Sequence, residues 1–344
     1  MDNFKKILVY QTAFLGDIIL TFPLIQSLKK KYPNAEIDFV TTPTGNEIAK
    51  THSDINKIII FNKRNIDKGW IGLFKFANKL KTENYDIVFS PHRSFRTSIL
   101  LFFSRIPIRI SFDKSSLNFL YTKLIKYENG IHEIERNLSL MSEFINNKLI
   151  PESPIIIVGQ NQKEKVSKYF IENNVGSKLI SIAPGSVWKT KIWPLEYFEK
   201  LISIINLNHP AFEYLLIGGN EDVINALKLK ENLQNCKIHQ TAGKFSFIES
   251  AELISRSKLL ITNDSAPLHL GSAMKTPTVA IFGATVPEFG FGPFGNENVI
   301  IENKKLSCRP CAVHGGEKCP IETFECMFSL KPELVYSKIE KLLK

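Results

Sequence analysis

The chain has 344 residues, 44% of them apolar and 23% charged, a balance that predicts a globular protein with room for two domains of ordinary size. No run approaches the roughly 18 apolar residues of a membrane span. The apolar run Ile7 to Tyr10 stops at Gln11, too soon for a signal peptide, so a cytoplasmic location is expected. The net charge of +10 is concentrated early: residues 1–150 carry 22 Lys and Arg against 14 Asp and Glu, and the remainder 22 against 20.

Apolar runs alternate with helix-period segments along nearly the whole chain, the pattern of α/β architecture. Lys6 to Tyr10 reads as a strand and Asp17 to Tyr32 as a helix. Glu36 to Thr41, Lys57 to Phe61 and Asp86 to Ser90 read as further strands, with a helix over Leu73 to Leu80. A second series starts with the strand Leu179 to Ala183 and the helix Leu195 to Ile205. The strand Glu213 to Ile217, the helix Ser246 to Ser257 and the strand Leu259 to Ile261 follow. Next come the helix Ala266 to Met274 and the strand Thr278 to Phe282, and an amphipathic helix over Glu333 to Lys344 ends the chain. Two such series predict two doubly wound domains joined near residues 150–165.

Several strand-to-helix loops carry residues suited to binding an anion. Gln11 to Gly16 leads into Asp17, which is either a helix-start residue favoured by the dipole or a catalytic carboxylate. Pro184-Gly185-Ser186 offers backbone N–H groups and a hydroxyl, and Lys189 and Lys191 suit a pyrophosphate leaving group or a plain charged surface. Gly218-Gly219-Asn220-Glu221-Asp222 is either a simple turn or a place where an acid meets ribose hydroxyls. Phe245 could border a nucleobase or pack in the core. The richest segment is Thr262-Asn263-Asp264-Ser265, with Ser265 an expected N-cap, Pro267 in the first turn and His269 one turn on. A helix starting there presents unpaired N–H groups and a positive dipole end to a phosphate. Gly290 to Gly295 matches GxGxxG in form only, because no strand precedes it and no helix follows. Cys308, Cys311, Cys319 and Cys326 leave a structural metal, a disulfide pair and plain packing open. The basic first half predicts an anionic partner or merely a solvated lysine-rich surface, and no nucleic-acid-binding signature accompanies it.

ILVYQTAFLGDIILTFP, APGSVWKTKIWP and NDSAPLHLGSA followed by TPTVAIFG resemble, in this order, the motifs of the ADP-heptose:lipopolysaccharide heptosyltransferases, glycosyltransferase family 9. YDIVFSPHRSFRTSILLFFSRIPIRISF and the CRPC…CP…CM tail are most similar to the heptosyltransferase II branch. The resemblance implies a GT-B fold of two Rossmann-like domains facing a cleft. Residues 1–160 would bind the acceptor and residues 161–330 the nucleotide sugar, with a terminal helix at 331–344. It implies inverting, metal-independent transfer with no cofactor, and the chain has no Asp-x-Asp for a nucleotide-bound metal. Asp17 falls on the catalytic base. Ser186 and Lys191 fall on diphosphate contacts, Glu221 on a ribose-binding acid and Phe245 beside the base. Asp264, Ser265, Ala266 and His269 match the donor loop, with Ala266 where relatives often have glycine. Asp264 is expected to bind backbone N–H groups or sugar hydroxyls, since a carboxylate repels a diphosphate. Arg93, Ser94 and Arg96 are candidates for the phosphates of an anionic lipopolysaccharide-core acceptor. The partners implied are ADP-heptose or a similar donor, that acceptor and the surface of the inner membrane, with no nucleic acid. A relative using another activated sugar and a non-catalytic nucleotide-sugar binder are the alternative readings.

Overall fold

The computed structural model describes residues 3–145, 149–295 and 297–344. The chain forms two compact units, Met1–Ile157 and Val158–Lys344. In the first, strands β1 (Lys6–Tyr10), β2 (Glu36–Thr41), β3 (Lys57–Ile60), β4 (Ile87–Phe89), β5 (Ile108–Phe112) and β6 (Lys123–Ile125) form one sheet in the order β3-β2-β1-β4-β5-β6. The second unit repeats this order. There β7 (Leu179–Ala183), β8 (Glu213–Leu216), β9 (Ile238–Gln240), β10 (Leu259–Asn263), β11 (Thr278–Phe282) and β12 (Asn298–Glu302) lie as β12-β11-β10-β7-β8-β9. The strand pairs run parallel, β1 with β2 and β4, and β7 with β8 and β10.

Both sheets are therefore doubly wound, and in each the direction of winding reverses between two central strands. Those switch points lie between β1 and β4 and between β7 and β10, and the crevice beyond the strand C-termini there is where such sheets bind ligands. Strands β7, β10 and β11 are buried along their whole length, as a sheet covered by helices on both faces requires. The helix Ala266–Met274 lies close on the sheet because Gly271 has no side chain: a Cβ there would stand 2.4 Å from Thr278 Oγ1 and 2.9 Å from Leu260 Cδ2. The helix Pro332–Leu343 packs Val335, Ile339 and Leu343 into the core that holds Phe198, Leu201 and Ile202, so the end of the chain belongs to the second unit. Gly290 to Gly295 is a turn, with Gly290 at φ 103° and β12 following.

Candidate active site

In the second unit, the loops after β7 and β10 meet at the switch point. Asn263, fully buried at the end of β10, donates from Nδ2 to the Pro184 carbonyl (2.6 Å) and accepts the Trp193 N–H at Oδ1 (3.1 Å). One amide thus satisfies two buried backbone groups of the neighbouring loop and fixes its start and its end. Between those two points lie Ser186 and Lys191. Trp193 anchors the far side, its Nε1 donating to the Leu330 carbonyl at 2.9 Å. Thr190 also exchanges hydrogen bonds with Gly316: its N–H donates to the carbonyl at 3.0 Å, and its hydroxyl accepts the Gly316 N–H at 2.7 Å.

Lys191 Nζ lies 2.7 Å from Asp264 Oδ2, and both side chains are nearly buried, at 13% and 7% exposure. The Thr285 hydroxyl donates to the same oxygen at 2.6 Å. The Asp264 carboxylate meets an ammonium and a hydroxyl, not the backbone N–H groups that were one of its two expected kinds of partner. The reason is electrostatic, since a buried carboxylate is tolerable only beside an opposite charge with its lone pairs occupied. An ammonium has three donors, and one serves Asp264. Lys191 is therefore a cation held in place beside the start of the helix Ala266–Met274.

Ser265 is the residue before that helix, but its side chain does not cap it. With φ −150° and ψ 177° its hydroxyl faces the Asn263 carbonyl at 3.5 Å and the Thr262 hydroxyl at 3.5 Å. Ala266 is half-buried at the first helical position, and His269 is buried one turn on. Beyond β8, Asp222 turns inward and accepts the Gly219 N–H at 2.9 Å, leaving the neighbouring Glu221 exposed. Burial pushes the Asp222 carboxyl up, against the pull of that hydrogen bond. Phe245 is half-buried, its ring edge-to-face with Tyr169 at 5.2 Å and Lys165 Nζ over it at 5.4 Å.

At the switch point of the first unit, Asp17 sits in the first turn of the helix Leu15–Lys31 and accepts the Phe14 N–H at Oδ2 (3.2 Å). The helix Glu133–Ser139 packs against it, with Asn137 Nδ2 donating to the Leu20 carbonyl at 3.1 Å. This brings up a residue that motif reading missed. Glu133 is buried, ion-paired with the buried Arg136, and within electrostatic reach of Asp17 and Arg93. Burial, then the Asp17 charge, push its carboxyl up to about 7 against the pull of Arg136. The guanidinium groups of Arg93 and Arg136 both lie over the Tyr127 ring, at 4.1 and 4.4 Å. The alternation Glu133-x-x-Arg136 was the available signal, since such a pair falls on one helix face.

The three acceptor candidates separate. Arg93 is exposed beside this charged group. Ser94 caps the helix Phe95–Phe103 by accepting the Thr97 N–H, and Arg96 donates to the carbonyls of Asp67 (3.4 Å) and Gly69 (3.2 Å). His92 Nδ1 is 2.6 Å from the Thr97 hydroxyl. Burial, with Lys63 and Arg93 nearby, lowers its pKa to about 4, so it is neutral at neutral pH. Among the described residues no group of three His, Cys, Asp or Glu could hold a metal ion, and all five cysteines are free thiols. Cys311 Sγ instead donates to the Cys308 carbonyl at 3.2 Å, and burial pushes the Cys326 thiol up to about 11.

Comparison with known proteins bears on the fold and the family. The glycosyltransferase family 9 (heptosyltransferase) profile matches residues 73–320, well over half of the chain. The chain is 29% identical to lipooligosaccharide heptosyltransferase 2 of Campylobacter jejuni over 98% of both sequences. Its fold matches a glycosyl transferase family 9 structure from Veillonella parvula with a TM-score of 0.88, at 23% identity over 100% of this chain and 98% of that one. It also matches the ADP-heptose lipopolysaccharide heptosyltransferase II of E. coli with a TM-score of 0.77, at 20% identity over 98% of both chains. The architecture is the GT-B fold of these enzymes, two parallel six-stranded sheets covered by helices. With two doubly wound sheets, a matched profile and a full-length relative in agreement, the chain belongs to glycosyltransferase family 9, the heptosyltransferases, and is a glycosyltransferase.

Proposed function

We propose that this enzyme transfers heptose from ADP-heptose to the inner core of lipopolysaccharide, at the cytoplasmic face of the inner membrane. Transfer inverts the anomeric centre and needs no metal or cofactor. The second unit binds the donor and the first the acceptor. Support for the donor comes from the E. coli enzyme of like fold, an ADP-heptose heptosyltransferase, and support for the acceptor from the lipooligosaccharide relative.

The observation that carries the reading is Lys191, fixed by Asp264 beside a helix start at the switch point. An acceptor hydroxyl attacks the anomeric carbon, and the bond from that carbon to the diphosphate oxygen breaks, its electron pair leaving with ADP. The hydroxyl proton passes to the Asp17 carboxylate. Negative charge grows on the leaving diphosphate. The two remaining donors of Lys191, the Ser186 hydroxyl and the N–H groups preceding Ala266 and Pro267 supply what it needs. Glu221, exposed beside Asp222, accepts from the ribose, and Phe245 borders the adenine.

Purified enzyme given ADP-heptose and a heptose-deficient core acceptor should form product unchanged by EDTA. Asp17→Ala should cut kcat about a thousandfold while leaving ADP affinity intact. Transfer that survives this change removes the base assignment. A calorimetric preference for a UDP- or GDP-sugar over ADP-heptose removes the donor assignment.

A further inference from the structure

The helix Gly69–Thr82 buries Leu73, Phe76, Ala77 and Leu80 and turns Trp70, Ile71 and Phe74 outward. It packs against the helix Phe95–Phe103, which turns out Phe95, Phe102 and Phe103. The five aromatic side chains of this face are each 43–52% exposed. They touch one another in sequence. Trp70 meets Phe95 at 6.3 Å and Phe74 at 6.4 Å, Phe74 meets Phe103 at 4.8 Å, and Phe103 meets Phe102 at 5.4 Å between ring centroids. Scattered exposed apolar residues need no explanation, but a continuous aromatic patch on a water-facing surface marks a contact.

Charge decides the kind of partner. Residues 63–109 hold ten Lys and Arg against three acids, and the acids are engaged. The Asp67 carboxylate accepts the Asn62 N–H at 2.7 Å, Glu83 pairs with Lys6 at 3.0 Å, and Asp86 accepts the N–H groups of Lys5 and Lys6. Lys68, Lys75 and Lys79 stand exposed on or beside the aromatic helix. A second copy docking through the same face would set this positive field against itself. Aromatic side chains ringed by basic ones match the boundary of an anionic bilayer, where rings enter at headgroup depth and ammonium groups meet lipid phosphates.

We infer that the face formed by the helices Gly69–Thr82 and Phe95–Phe103 docks the enzyme on an anionic phospholipid bilayer. Trp70, Phe74 and Phe103 insert, and Lys68, Lys75 and Lys79 pair with headgroups. This takes up the membrane location proposed above. Its test reads lipid binding rather than transfer, so either reading can fail alone.

The full chain should co-sediment with phosphatidylglycerol/phosphatidylethanolamine vesicles at least tenfold more strongly than with pure phosphatidylcholine, and more weakly at high salt. Trp70→Ser/Phe74→Ser/Phe103→Ser and, separately, Lys68→Glu/Lys75→Glu/Lys79→Glu should each lower that affinity at least tenfold. The charge variant alters only exposed side chains, so its thermal midpoint should match the parent and keeps the test valid if the aromatic variant folds poorly. The inference is overturned if the parent ignores anionic vesicles or if the charge variant binds them like the parent. It is also overturned if the parent is a dimer that the aromatic variant dissociates without any lipid binding, which would make the face a contact between copies.

Discussion

Two buried charges define the candidate site residue by residue, and they behave oppositely. Asp264 has its counter-ion in direct contact, so removing Lys191 strands a carboxylate that is only 7% exposed. Lys191→Ala should therefore cost about 3 kcal/mol of stability, a figure typical of breaking a buried pair from one side. Asp264→Asn in the same chain should recover much of it, because no uncompensated charge remains. Urea unfolding of the two single variants and the double one measures this, and purely additive losses would contradict it. Glu133 is the contrary case, held near its proton by burial and by Asp17 despite Arg136. Its pKa rises from 4.5 in the unfolded chain to about 7 in the fold. Between those values the folded state binds more protons than the unfolded one, so stability falls as pH climbs through that window. Glu133→Gln, which cannot ionise, should flatten that part of the pH–stability curve, as read from thermal midpoints between pH 4 and 8. A parallel curve would show that Glu133 ionises normally in the fold.

Among the elements, Asn263 illustrates how the site is built and why it was only partly legible. Its side chain joins the loop after β7 to the end of β10 through Pro184 and Trp193, the latter 70 residues away in sequence. Asn263→Ala leaves a buried carbonyl and a buried N–H unsatisfied and should cost about 2 kcal/mol. It should also weaken ADP binding several-fold by freeing the segment that carries Ser186 and Lys191, which calorimetry would detect. Unchanged ADP affinity would mean that the segment is held by Trp193 and Leu330 alone. The strands that frame this junction were readable because β7, β10 and β11 are buried throughout and mostly apolar. The mixed segments of β5 (IRISF), β6 (KLI) and β9 (IHQ) carry no such run and escaped notice. The motif positions Asp17, Lys191 and Asp264 were visible as residues, but the pairing of the last two was not. Spacing along a chain shows which loops share a sheet edge, and not which side chain neutralises which. Ser265 makes the same point: its type and place predicted a cap, and a local hydroxyl-to-carbonyl contact prevailed.

For the whole molecule, the two units share one strand order and differ in charge. Up to Ile157 there are 22 basic against 15 acidic residues, and beyond it 22 against 19. The more positive unit carries the aromatic face and the carboxyl groups of Asp17 and Glu133, while the nearly balanced one carries the nearly buried Lys191 ammonium at its switch point. On the proposed reading, bulk charge does not locate the nucleotide; a fixed cation beside a helix start does. ADP should accordingly order the second unit and leave the strand ends of the first unchanged. Amide hydrogen exchange with and without ADP tests this directly. Protection should rise over residues 184–193, 218–222 and 263–269, where backbone N–H groups flank Lys191, Glu221 and the helix start. Residues 11–17 should exchange at the same rate in both samples, because nothing in their loop competes with Lys191 for a diphosphate. Protection centred on 11–17 instead would place the nucleotide in the first unit and reverse the division of labour between the two sheets.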